Sequence, residues 1–214
     1  MTSDRNHWQG VYQARDSDQV SWYQDVPASS LALIEATGLD HHERVVDVGG
    51  GHSTLIDHLL ASGWDQVTVL DIAGSALAAA RRRLGTRARR VEWVERDLLA
   101  WQPRLPYALW HDRALLHFFN DEAARAGYLR VLRAALRPGG YALIGTFAED
   151  GPEQCSGLPV RRYSPASLAA WLGADFTLMQ SRLDPHRTPA GKVQHFQFSL
   201  FHYPAGRGGA GRGA

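Results

Sequence analysis

Lysine is almost missing from this chain of 214 residues: Lys192 is the single one, and the other 22 of its 23 basic residues are arginine. Arginine is a planar fork and lysine a point charge, but with alanine and glycine also abundant the imbalance reads as a coding bias. Cysteine is nearly missing too. Cys155 stands alone, which excludes an internal disulfide framework and a cysteine-rich zinc site. A net charge of +1 removes any global attraction to nucleic acid or to membranes. Long apolar runs are absent as well: the longest uncharged stretch, 193–206, is broken by Gln, His and Ser, whereas a bilayer span takes about 20 apolar residues. Met1-Thr-Ser-Asp-Arg-Asn-His7 lacks the apolar core of a signal peptide. The expectation is a soluble cytoplasmic protein, of a length that suits one domain.

What is present is an alternation of short apolar runs and helical patterns. Residues 44–49, 66–71, 91–95, 107–112 and 141–147 read as strands. Helical spacing follows over 53–62, 75–84, 121–136 and 164–172, with Gly85 and Arg137-Pro-Gly-Gly140 as stops. Phe176–Leu183 and Val193–Tyr203 read as two longer strands with no helix between them. Short apolar strands alternating with helices predict an α/β fold, a mostly parallel sheet with helices on both faces. The last two strands predict an antiparallel edge pair. The expected organisation is an N-terminal arm over 1–43, one α/β domain over 44–203 and a disordered tail over 204–214, which holds only Gly, Ala, Pro and Arg.

In such sheets ligands bind beyond the carboxyl ends of the strands. The first strand end reads Asp47-Val-Gly-Gly-Gly-His-Ser-Thr54. Glycines there let backbone approach a ligand where a side chain would clash. A dinucleotide fingerprint aligned on Gly49 and Gly51 would need glycine where Thr54 stands. Asp47 would also sit badly beside a pyrophosphate. A ligand with a cationic centre and no phosphates fits Asp47, Gly49, Gly50 and Gly51 better. Asp71 ends the second strand, placed to accept from the vicinal hydroxyls of a ribose or to cap the helix that follows. Asp97 either meets an adenine amino group, with Leu98 against the ring, or is an ordinary loop acid.

Together, Val45-Val-Asp-Val-Gly-Gly-Gly51, Val69-Leu-Asp-Ile72, Arg96-Asp-Leu98 and Leu136-Arg-Pro-Gly-Gly-Tyr141 resemble the motifs of class I S-adenosylmethionine-dependent methyltransferases, over roughly residues 45–203. The resemblance implies a Rossmann-like seven-stranded sheet ending in an antiparallel pair, with S-adenosyl-L-methionine as cofactor. It assigns Asp47 and Gly49 to Gly51 to the cofactor turn, Asp71 and Ile72 to the ribose, and Asp97 and Leu98 to the adenine. Trp22 and Tyr23, in the arm before the first strand, would close over the methionine end, partly through cation–π contact.

On the acceptor side, Trp110-His-Asp-Arg-Ala-Leu115 is similar to a segment of the thiopurine S-methyltransferase branch. That likeness implies that Arg113 orients an anionic or polar acceptor and that Asp112 sits near the sulfonium. His111 and His117 are then the candidate bases, or else structural histidines. It also implies a small-molecule acceptor, sulfur first, then nitrogen or oxygen. Val20-Ser-Trp-Tyr-Gln24 is similar to protein-lysine-methyltransferase-like members, which keeps a protein substrate as the alternative. A silent binding protein and a nicotinamide oxidoreductase follow, the latter disfavoured by Thr54. No metal site is expected, because no histidine pair has helical ligand spacing beside a carboxylate. The stretch 147–163 reads as an irregular acceptor-side loop. The Arg81–Arg96 cluster reads as a solvated face, and a nucleic-acid substrate is not expected.

Overall fold

A computed structural model describes residues 5–14 and 19–204. Five parallel strands carry the core: β1 (Val45–Val48), β2 (Val67–Asp71), β3 (Val91–Glu95), β4 (Tyr107–Arg113) and β5 (Leu136–Phe147). β1 and β2 are buried at every position, as a sheet covered on both faces requires. Two antiparallel strands, β8 (Thr177–Arg187) and β9 (Val193–Tyr203), complete a seven-stranded sheet in the order β3-β2-β1-β4-β5-β9-β8. This is the expected Rossmann-like methyltransferase architecture, with order reversing between β1 and β4.

Strand alternation sorts the side chains between two cores. On one face Val46, Val48 and Trp110 pack with Tyr128 and Leu132 of α5 (Glu122–Ala135) and Leu168 of α6 (Pro165–Leu172). On the other, Val45, Val69 and Leu109 pack with Leu33 and Ile34 of α2 (Ala28–Glu35), Leu55 and Leu59 of α3 (Leu55–Ala61) and Leu77 of α4 (Gly74–Leu84). Caps set the helix ends. Asp121 accepts from Ala124 N before α5, and Ser164 with Ser167 forms a capping box before α6, with Pro165 in the first turn.

Three local features differ from the sequence expectation. β5 begins directly after α5, because Arg137–Gly140 is taken up as an irregularity: register passes from Tyr107↔Leu136 to Leu109↔Tyr141. Inside 147–163 lies a small hairpin of β6 (Gln154–Cys155) and β7 (Leu158–Pro159). Its turn residues Ser156 and Gly157 both have positive φ, 50° and 78°, the geometry of a tight two-residue hairpin. β8 continues past Leu183 to Arg187, which carries buried His186 back to the arm, where Nε2 donates to the Ser21 carbonyl at 2.8 Å.

The arm itself contributes α1 (Arg5–Ala14). Trp8 of α1 packs edge-on against Phe118 at 4.9 Å and against Trp22 at 6.2 Å. Outside those rings the helix is fastened by an exposed Arg5–Glu95 ion pair and by Gln9 Oε1, which accepts from Ser75 N. The predicted tail lies, from residue 205 on, outside the described residues. No helix among the described residues is long and apolar enough to cross a membrane.

Candidate active site

The carboxyl ends of β1, β2 and β4 meet at one place. Gly49 turns the chain at φ 69°, a left-handed conformation glycine adopts without strain, and its amide donates to the Leu70 carbonyl at 2.7 Å. The next two glycines are required by contact. A Cβ on Gly50 would collide with the Asp47 carboxylate, and one on Gly51 would lie 2.7 Å from Asp71 Oδ2 and 2.9 Å from Ala76 Cβ. The turn therefore presents bare backbone between two buried acids.

Asp47, on β1, is 2% exposed. Its Oδ1 accepts from His111 Nδ1 at 2.7 Å, while its Oδ2 is buried with no hydrogen-bond partner. His111 Nε2 lies 2.9 Å from the Ser30 hydroxyl on α2. In the neutral tautomer protonated on Nδ1, Nε2 accepts from Ser30, so both ring nitrogens are occupied. Asp71 Oδ2 accepts from Gly51 N at 3.0 Å and Oδ1 from Ala73 N at 2.8 Å. It does not cap α4, whose N-cap has no side-chain bond. Burial pushes its pKa up to about 6, against the pull of the Ala73 and Gly51 amides, with Asp47 adding to the rise.

Two cavities flank the turn. The first, of about 60 Å³, lies under α1 and is lined by Trp8, Tyr12, Asp71, Ile72, Leu98 and Phe118, with Asp97 also in its wall. Asp97 additionally accepts from Leu99 N at 2.9 Å, fixing the short helical turn 98–100. The second, of about 30 Å³, is lined by Trp22, Tyr23, Ser30, Asp47, His111 and Arg113 among others. Thr54 secures that side: its hydroxyl donates to the Gln24 carbonyl at 2.7 Å, pinning the arm across the opening. The structure thus brings together Asp47, Gly49, Gly50, Gly51, Asp71, Ile72, Asp97, Leu98, Trp22 and Tyr23.

The acceptor-side candidates separate. Asp47 pairs with His111 and Val48 with Asp112 across β1 and β4, so His111 and Arg113 share the Asp47 face and Asp112 takes the opposite one. Asp112 is fully buried toward α5. It accepts from Leu115 N, from Leu116 N and from the Tyr128 hydroxyl at 2.7 Å. Tyr128 in turn accepts from Trp110 Nε1 at 3.0 Å. Burial raises the Asp112 pKa to about 6, and its hydrogen bonds hold it from going higher.

Arg113 points toward β9. Its Nη1 donates to the Trp22 carbonyl at 2.7 Å, and its guanidinium carbon stands 4.9 Å from the Phe196 ring centre. Burial pushes its pKa down to about 10. His117 is fully buried between Phe118 and Phe147 with neither ring nitrogen hydrogen-bonded. Burial, and then the Arg113 charge, drives its pKa down to about 3, so it is neutral at pH 7. The Cys155 thiol is buried and pushed up to about 11, which leaves it protonated and unreactive.

Ser30, Trp8, Tyr12 and Phe118 also form this site. Ser30 sits beside Ser29 in a short helix and carries no motif. The aromatic spacing of Trp8 and Tyr12 signals one buried helix face, though not what that face covers.

Comparison with known proteins gives three findings. Residues 45–140 match the family model described as a methyltransferase domain. The chain is 36% identical over 116 residues to the trans-aconitate 2-methyltransferase of Azoarcus sp. (strain BH72); the match covers 52% of this chain and 42% of that protein, so the chain spans about two fifths of that relative. Among solved structures, similarity covers 95% of this chain and 94% of the other, with a TM-score of 0.75 and 20% identity, for a protein described under the conversion of a disulfide bond into a thioacetal group during echinomycin biosynthesis. For the 1,6-didemethyltoxoflavin-N1-methyltransferase of Burkholderia thailandensis, with bound 1,6-didemethyltoxoflavin and S-adenosylhomocysteine, the TM-score is 0.72 at 24% identity, over 94% and 87% of the two chains. Residues 45–140 therefore resemble a methyltransferase domain, and the seven-stranded fold is one this chain shares with solved methyltransferases.

Proposed function

We propose that this protein is an S-adenosylmethionine-dependent methyltransferase acting on a small molecule. The observation that carries the reading is the glycine turn wedged between two buried acids, one of which, Asp47, keeps an unpartnered oxygen. A buried carboxylate oxygen without a partner is costly, and the ammonium of an amino-acid moiety would satisfy it. Asp71 has lone pairs left for ribose hydroxyls, Asp97 and Leu98 suit an adenine, and Ile72, Trp8 and Phe118 supply apolar walls. Trp22 and Tyr23 screen the methionine end from water. When bound, the cofactor supplies an electrophilic methyl group on a sulfonium. The chain contributes position, worth on the order of 7–11 kcal/mol in well-oriented cases, and a dry cleft.

For the acceptor, the solved relative with bound 1,6-didemethyltoxoflavin and the curated trans-aconitate enzyme favour a small molecule over a protein. The expectation of sulfur first rests on Asp112 and Arg113 together. With Asp112 turned toward α5, that pair no longer supports sulfur over nitrogen or oxygen. Incubation with methyl-labelled S-adenosylmethionine and an extract split by size tests the function. Label is expected in the small-molecule fraction; label confined to protein bands would establish the alternative substrate, and no S-adenosylhomocysteine from either fraction would sink the reading.

The raised pKa of Asp71 gives a pH signature. Ribose hydroxyls donate best to the ionised carboxylate, whose pKa is about 6 in the free protein. Affinity for S-adenosylhomocysteine is therefore expected to rise between pH 5 and 7, by up to about tenfold, and to level off above. Calorimetry across that range checks it; affinity falling over the same interval would remove Asp71 from the contact.

A further inference from the structure

Resting on the methyl-transfer reading, we infer that the methyl acceptor bears a carboxylate and that Arg113 receives it. Arg113 Nη1 is taken by the Trp22 carbonyl, but Nε and Nη2 are both buried with no hydrogen-bond partner. These two N–H groups form one edge of the guanidinium, and that edge matches the two oxygens of a carboxylate. Asp184, Cys155 and Asp47 lie within electrostatic reach, yet none bonds to either nitrogen. A buried cation left in that state is costly unless an anion completes it.

Two features, the open imidazole of His117 and the want of a free base, favour a carboxylate on the acceptor. Arg113 lines the cavity that also holds Trp22, Asp47 and Gly49, and from there it stands against Phe196 of β9 and near buried Cys155 of the β6–β7 hairpin and His186 of β8. His117 adds a neutral imidazole with both nitrogens open, one donor and one acceptor for the remainder of an oxygenated acid. The candidate bases give the same answer. His111 is held between Asp47 and Ser30, Asp112 faces α5, His117 is a very weak base and the Cys155 thiol stays protonated. An acceptor that arrives already ionised needs no proton removed.

The other source of a carboxylate is the cofactor's own methionine portion, and the test separates the two. Initial rates are measured over C2–C6 mono-, di- and tricarboxylic acids, their amides, and simple amines and thiols, by S-adenosylhomocysteine release. Wild type, Arg113→Met and Arg113→Lys are compared, with melting curves to confirm folding. Turnover is expected with acids and not with their amides. For the best acid KM should rise at least tenfold in Arg113→Met and less in Arg113→Lys, while S-adenosylhomocysteine affinity stays within about twofold. A tenfold loss of that affinity in Arg113→Met, absent when a decarboxylated analogue is the ligand, would give the fork to the cofactor and overturn the assignment. Turnover of amines or thiols alone, with Arg113→Met unaffected, overturns it while leaving methyl transfer standing. Wild type that binds no S-adenosylhomocysteine overturns both.

Discussion

Replacing Asp112 with alanine is expected to cost about 3 kcal/mol of stability at pH 5, and distinctly less at pH 8. At the lower pH the carboxyl is neutral and still accepts from Leu115 N, Leu116 N and the Tyr128 hydroxyl. Alanine orphans all three in a fully buried place, at roughly 1–3 kcal/mol for each donor left unsatisfied, less whatever relaxation recovers. The pH dependence follows from linkage. The folded pKa of about 6 exceeds the ordinary aspartate value of 3.8, so the native state holds this proton more tightly than the unfolded chain. Stability from that group is fully present below the unfolded value and is lost as pH rises through about 6. The variant has nothing to lose there, and the gap narrows. Denaturant melts at both pH values check the sign; a gap that widens toward pH 8 would mean the ionised carboxylate is the stabilising form. Asp112→Asn keeps the shape and should leave kcat within a few-fold. A loss of a hundredfold with the fold intact would restore Asp112 to the chemistry.

The second large effect concerns the cofactor. Asp71→Ala is expected to weaken S-adenosylhomocysteine by about 2–3 kcal/mol, the scale of one or two hydrogen bonds to a charged group. Because Asp71 also holds the Gly51 and Ala73 amides, a bare loss of affinity would not separate direct contact from a loosened turn. A cycle with the 2′-deoxy ligand does. Wild type should discriminate against the deoxy compound by at least about 1 kcal/mol, and Asp71→Ala should not discriminate at all. Equal discrimination by both proteins would make Asp71 a turn-former only.

Much of this was legible in the sequence because strand ends and glycines are local signals. Asp47, Gly49 and Asp71 lie at the ends of buried runs, and buried runs in an α/β pattern define where a ligand can go. The direction of Asp112 was not legible, since a strand covered on both faces has no polar side to mark which residues look toward the cleft. Only the register with β1, pairing Asp47 with His111, decides it. Ser30 was hidden for a related reason: its partner is 81 residues away, and nothing in the sequence sets it apart from Ser29 beside it. Thr54, which at first only argued against a dinucleotide, turned out to fasten the arm through the Gln24 carbonyl.

Helix α1 has a kinetic meaning. Trp8 and Tyr12 form one wall of the cavity beneath it, so a nucleoside bound there lies against this helix. What holds the helix is chiefly apolar packing of Trp8, Val11 and Tyr12 on Ala73, Ala76 and Ile72, because an exposed ion pair such as Arg5–Glu95 contributes at most about 1 kcal/mol. A ligand in that cavity is covered by a helix of ten residues, and Trp8→Ala, which strips the helix of its buried ring, is expected to speed ligand release in stopped-flow measurements.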